Sequence, residues 1–411
     1  LGNYKINFRR SHDMLKKIIS LFVLVAWVLV LSIYSTRDCK ASSEAKAAAA
    51  EEIHIPVIAP LSGPLASSAG REGKEGANLA VKLINDKGGV QGKKLVLDWF
   101  DDRGEASEAA VLAQKVADDK NYGVVVAHFS SDACFAAMPT YEKAGMAMVT
   151  PWASHAELTK RSPISFRMSA STAIYGRLNG DVIASTLKAK KAAIILANAE
   201  YHKDHTKYLK ERLAAKGVQV VREETYMIGD SDFRPQLTNI VNSQPDVIAI
   251  VGYPKETALI INQVRDMKYK GPLTIAPAAA TPEVINLSAK NMTDTYMGAG
   301  GGTYNEALMG KSTANKAVAD YLQAFRSEYK KEPPASAGWA SQAYDVIRVI
   351  AVVMQKVGND RKGILEGLKA TKNFEAVNGR LFGDDRAQIP ELGISKFDTT
   401  SKQWVTIETI K

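Results

Sequence analysis

Only two cysteines occur in 411 residues, Cys39 and Cys134. Cys39 falls in a leader-like N-terminal stretch, so the rest of the chain carries a single thiol and no internal disulfide. A fold without cross-links must be held by its core alone. Cys134 stands among Ala133, Phe135, Ala136 and Ala137, a setting that suits a buried, inert thiol better than a reactive one. Beyond residue 47 no apolar run approaches the roughly 18 residues of a membrane span, so the mature chain is expected to be soluble. Basic blocks are missing too. Residues 1–47 hold 8 basic and 3 acidic side chains and inflate the net charge of +9; the remainder holds 45 basic and 41 acidic. Nucleic acid is therefore not an expected partner.

Signals of catalysis are also lacking. Gly310-Lys311-Ser312-Thr313 ends like a P-loop, but the glycine required five residues earlier is Asn305, so phosphate cradling is excluded. Gly298-Ala299-Gly300-Gly301-Gly302 misses the dinucleotide spacing and reads as a bend between two halves. His128, His155 and Ser131 suggest a hydrolase, yet no GxSxG elbow is present. His202 and His205 have helical spacing, but their Lys/Asp context and the lack of a nearby cysteine speak against a metal. No cofactor and no catalytic residue are expected.

What is present begins with export. Lys16-Lys17 precede an apolar run from Ile18 to Ile33, and small residues follow from Ala41 to Ala50. Basic, apolar and then small is the order of a secretory signal. Cleavage is expected after Ala41, Ala45 or Ala47, with Met14 as a plausible start; the rival is an uncleaved anchor. Arg37-Asp38 before Cys39 do not suit lipid attachment.

Apolar β-type runs then alternate with amphipathic stretches. Strands are predicted at Ile53–Pro60, Lys94–Asp101, Gly123–Phe129, Ala147–Pro151, Ala192–Ala197, Val218–Tyr226, Val247–Gly252 and Leu273–Ala276. Val124–Val126 and Val247–Val251 are apolar at every position, as parallel strands buried on both faces require. The alternation predicts α/β doubly wound sheets in two blocks, 52–170 and 171–300. Helices are expected at Lys311–Tyr329, Ser336–Gln355 and Lys362–Ala370. β character returns at Gly379–Phe382, Leu392–Phe397 and Trp404–Ile410.

Open α/β sheets bind ligands beyond the carboxyl ends of their strands, so the residues just after each strand carry most weight. Ser130-Ser131-Asp132 open a helix; hydroxyl and free amides there make either a carboxylate seat or a simple N-cap. Trp152 and Ser154 follow the next strand. Ser154 and Glu157 have capping-box spacing, while an indole and a hydroxyl also make a ligand wall. Tyr201 and Tyr253 follow two strands of the second block, either facing a cleft or lying on the surface.

Three segments together carry a resemblance. They are Leu61-Ser62-Gly63-Pro64 with Ile84-Asn85-Asp86-Lys87-Gly88-Gly89; Asp101-Asp102; and Tyr141–Gly145 leading to Val149-Thr150-Pro151 and Glu157-Leu158-Thr159. Across residues 52–411 the chain resembles type I periplasmic solute-binding proteins of ABC importers, of the leucine/isoleucine/valine-binding type. The resemblance implies two Rossmann-like lobes joined by three crossovers: residues 52–170 plus 303–378, and 171–302 plus 379–411, after a leader at 1–47. It implies a periplasmic protein that holds an amino acid or other small carboxylate and delivers it to an ABC permease in the inner membrane, without enzymatic activity. Ser131 would hold the carboxylate, Trp152 and Ser154 would supply loop contacts, and Tyr201 and Tyr253 would close over the ligand.

Three departures from that pattern stand out. Trp152 replaces a small residue. Ala276-Pro277-Ala278-Ala279-Ala280 lacks the acid that pairs a ligand ammonium, which Glu200 or Glu256 would have to replace. A lobe-one disulfide is missing. A ligand sensor for an amide, urea or aromatic acid is the alternative function, and a hydrolase the remaining one.

Overall fold

The computed structural model describes residues 51–63, 65–300, 315–333, 338–382, 386–387 and 389–410. The leader, Gly301-Gly302 and the Gly310–Thr313 motif lie outside the described residues. Among the described residues no helix is long and apolar enough to cross a membrane.

The first half reads β1 (Glu52–Ala59), α1 (Lys74–Asn85), β2 (Lys94–Asp101), α2 (Ala106–Asp118), β3 (Val124–Ala127), α3 (Ser131–Lys143), β4 (Ala147–Thr150), α4 (Leu158–Arg161) and β5 (Ser165–Arg167). Its strands form a fully parallel sheet in the order β2-β1-β3-β4-β5. The second half continues with α5 (Thr172–Asp181), β6 (Lys191–Ala197), α6 (Glu200–Ala215), β7 (Gln219–Tyr226), α7 (Arg234–Asn242) and β8 (Val247–Val251). After these come α8 (Pro254–Asp266), β9 (Leu273–Ile275), α9 (Pro282–Ser288) and β10 (Thr295–Gly300).

The chain then makes α10 (Lys316–Tyr329), α11 (Trp339–Val357) and α12 (Arg361–Ala370), and a small sheet of β11 (Phe374–Ala376), β12 (Gly379–Leu381) and β13 (Ile389–Pro390). It ends in β14 (Leu392–Asp398) and β15 (Gln403–Ile410), antiparallel strands on the β10 edge of the second sheet. That sheet runs β15-β14-β10-β9-β8-β6-β7. The chain thus passes between the sheets three times: after β5, after β10 and after β13.

The apolar runs behave as their patterns require. Every residue of β3, β4 and β8 is buried, because helices cover both faces of a parallel sheet. Each fully buried Val or Ile contributes about 1.5–3 kcal/mol, which replaces the missing cross-links. Cys134 is buried, and burial pushes its thiol pKa up to about 12, so it stays protonated and inert. Four strands escaped sequence reading: β5, β10 and the short β11 and β13. Gly298–Gly300 lies within β10 and is not the expected bend; pairing with β14 holds it extended.

One close approach fixes the wall of the site. A Cβ at Gly76 would stand 1.7 Å from the Ala340 carbonyl oxygen. Only glycine lets α11 lie this close to α1, and α11 begins with Trp339.

Candidate functional site

Strand order reverses between β1 and β3 in one sheet and between β6 and β8 in the other. At such switch points the loops diverge and leave a crevice at the strand ends. Residues following β3, β4, β6, β8 and β9 all line one cavity, the placement expected of a small-molecule site at a switch point. The cavity brings together all five residues singled out from sequence: Ser131, Trp152, Ser154, Tyr201 and Tyr253. All five are buried.

Ser130, not Ser131, caps α3. Its Oγ accepts the Ala133 amide at 3.1 Å. The Ser131 hydroxyl, in a residue only 1% exposed, has no hydrogen-bond partner. A buried hydroxyl without a partner is a standing cost of about 1–3 kcal/mol. The capping box expected of Ser154 does not form either. Glu157 occupies the cap position of α4 without a side-chain bond, while Ser154 Oγ lies 2.9 Å from Ser169 Oγ and 3.1 Å from the Trp152 carbonyl. Ser169 Oγ in turn donates to the Ala153 carbonyl at 2.9 Å.

Aromatic rings form most of the wall. Trp152 Nε1 donates to the Trp339 carbonyl at 3.1 Å. Phe129 meets Trp339 edge-on at 5.4 Å and lies 6.2 Å from Trp152 and 6.0 Å from Tyr253. Tyr201 and Tyr253 lie nearly parallel, 6.4 Å apart; they are not surface tyrosines. Burial raises the phenol pKa values of both, and raises that of Tyr175 to about 12. All three phenols therefore remain protonated donors at neutral pH.

Among the described residues no charged side chain lines the cavity. The loop after β9 presents Pro277 and Ala278. Glu256 is buried elsewhere and accepts the Gly229 amide at 3.0 Å. Glu200 is half-exposed, 3.7 Å from Lys203. Asp132 receives the Glu200 amide at 3.4 Å, and burial raises its pKa. Neither Glu200 nor Glu256 therefore lines the cavity as a replacement acid.

The histidines also point elsewhere. His128 Nδ1 lies 2.7 Å from buried Asp102, with Tyr141 behind it at 3.4 Å. His155 packs between Phe135 and Asp204, and burial lowers its pKa. His202 packs edge-on against Tyr201 and Tyr253 at 4.9 and 4.5 Å, supporting both rings from behind. Burial pushes His202 down to about 3 and His205 to about 4. Among the described residues no group of three or more His, Cys, Asp or Glu could hold a metal.

Sequence reading missed Phe129, Ser169, Tyr175, Trp339 and Gln342 in the lining. Phe129 was reachable, since it ends the β3 run just before Ser130. Trp339 and Gln342 carry no local signal; the packing of α11 on α1 brings them in from 187 residues beyond Trp152. Behind Ser169, buried Arg167 donates to the Ser169 and His155 carbonyls at 3.1 and 3.2 Å and holds this corner in place.

Two doubly wound sheets joined by three crossovers define the type I periplasmic binding architecture. The chain belongs to the periplasmic binding protein family, whose model matches residues 52–395. It is 30% identical to a Leu/Ile/Val-binding protein of Rhizobium johnstonii, over 80% of this chain and 87% of the relative. It is 28% identical to Leu/Ile/Val-binding protein homolog 3 of Brucella melitensis, over 85% and 93%. Among solved structures it is similar to a branched-chain amino acid transporter substrate-binding protein of Streptococcus pneumoniae in complex with isoleucine. That likeness has 27% identity and a TM-score of 0.77, covering 88% of this chain and all of the other.

Proposed function

We propose that this chain is the extracytoplasmic substrate-binding subunit of an ABC importer, which closes on a small carboxylic solute and presents it to an inner-membrane permease. The Ser131 hydroxyl carries this reading. It sits buried and without a partner at the start of a 13-residue helix, inside a cavity walled from both sheets. A helix start with free amides and a spare hydroxyl suits a carboxylate, and a ligand there would remove the cost of the unpartnered group. The relatives named for binding leucine, isoleucine and valine support the same class of solute.

We assign Ser131, Trp152 and Ser154 to one wall of the ligand site and Tyr201 and Tyr253 to the other. Ligand contacts to both walls would favour the closed arrangement over an open one. We place one lobe at residues 52–170 plus 303–390, and the other at 171–302 plus 391–411. The second boundary moves from 379 because Leu381 and Phe382 share a core with Phe166 of the first sheet, whereas β14 and β15 extend the second sheet. Residues 1–47 are assigned to a cleaved export signal. No bond chemistry is proposed, since Ser131 has no base within hydrogen-bond reach to activate it.

The test is thermal unfolding of the exported protein, stripped of ligand by unfolding and refolding, against amino acids, carboxylates and amides including urea. A ligand at about 100 times its Kd adds about 2.7 kcal/mol. Stabilisation by a carboxylate or amino acid that is lost in Ser131→Ala supports the proposal. Stabilisation only by amides, or turnover of an amide or ester, sinks it.

A further inference from the structure

We propose that the cavity is built for an aromatic monocarboxylate that carries no α-ammonium group. This rests on the binding-protein reading above and names its solute. An ammonium needs a counter-ion when it leaves water, and its loss costs several kcal/mol without one. Among the described residues the cavity lining has none: those residues include no Asp or Glu, and the loop after β9 offers only a pyrrolidine ring and a methyl group, from Pro277 and Ala278. Three acids close in sequence to lining residues are engaged elsewhere. Asp132 takes the Glu200 amide, Glu256 takes the Gly229 amide, and Glu200 is half-exposed beside Lys203.

The anion side is provided for. The unpartnered Ser131 hydroxyl and the start of α3 face the cavity, and both favour negative charge. The body of the ligand meets rings: Phe129, Trp152, Tyr175, Tyr201, Tyr253 and Trp339. These are set at angles from nearly parallel to edge-on, and another ring fits such a wall through edge and offset contacts. Small aliphatic solutes gain less from it. A quaternary ammonium could also sit against rings, so glycine betaine belongs among the tested compounds.

The experiment is calorimetric titration of the refolded, ligand-free protein with pairs that differ only in the ammonium. These are phenylalanine with 3-phenylpropanoate and leucine with 4-methylpentanoate, with benzoate and glycine betaine alongside. We expect benzoate or 3-phenylpropanoate to bind at least 100-fold more tightly than phenylalanine, and more tightly than 4-methylpentanoate. Ala278→Glu, checked for folding by its melting curve, is expected to lose the aromatic acid and gain phenylalanine. The inference is overturned if either amino acid matches or exceeds its deaminated partner, if 4-methylpentanoate is preferred, or if only betaine binds. If none of these compounds binds, the inference is overturned, while the solute-binding reading stands or falls separately with the wider thermal screen.

Discussion

The Trp152 indole donates to the Trp339 carbonyl at 3.1 Å. One bond thus ties the loop after β4 to the first residue of α11 and sets the distance between two walls of the cavity. Trp152→Phe removes the donor and part of the ring. We expect a loss of about 1–3 kcal/mol of stability, read by urea unfolding, with weaker ligand binding.

Neighbouring serines at the start of α3 should respond in opposite ways. Ser130→Ala removes the cap on Ala133 and is expected to cost about 1 kcal/mol. Ser131→Ala removes a buried hydroxyl that has no partner. The ligand-free protein should therefore be as stable as the parent or up to about 1 kcal/mol more stable. Ligand affinity should fall at least tenfold, about 1.4 kcal/mol. Thermal melts with and without ligand check both halves.

Gly73 sits under the indole. A Cβ there would stand 2.5 Å from the Trp152 ring. Gly73→Ala is expected to cost about 1–3 kcal/mol through overpacking. The displaced ring should also change the tryptophan emission of the ligand-free protein; an unchanged spectrum with full stability would count against this placement.

Acid should weaken the second half through His202 and His205, held at about 3 and about 4 by burial. Their unfolded values lie near 6.5, so the unfolded chain takes up protons first. The stability they contribute as neutral rings is complete above about pH 6.5 and is lost as pH falls toward the folded values, by about 1.4 kcal/mol per pH unit per ring. Asp345, raised to about 6 by burial, acts in the opposite direction: its contribution is present at low pH and lost as pH rises through about 6. The measurement is therefore a difference. Between pH 7.5 and 5, His202→Phe should lose about 2 kcal/mol less than the parent in chemical denaturation.

Strand and helix positions were largely legible because parallel strands buried on both faces need unbroken apolar runs. Val124–Val126 and Val247–Val251 show this without help from the rest of the chain. The rule that ligands gather at strand ends then pointed to Ser131, Trp152, Ser154, Tyr201 and Tyr253, and the fold places all five on one cavity. β5 and β10 escaped because Ser165–Arg167 is only three residues long and β10 is broken by glycines.

Local pattern decided which residues stand at strand ends, that the thiol is inert and that the loop after β9 carries no acid. These are properties of neighbours in sequence. Only the tertiary structure decided which serine caps α3 and which is left over, since caps depend on backbone angles. It also decided that Trp339 and Gln342 join the site, because Gly76 lets α11 settle against α1. And it decided that Asp132, Glu200 and Glu256 stay out of the cavity, because they find other partners once the chain is packed.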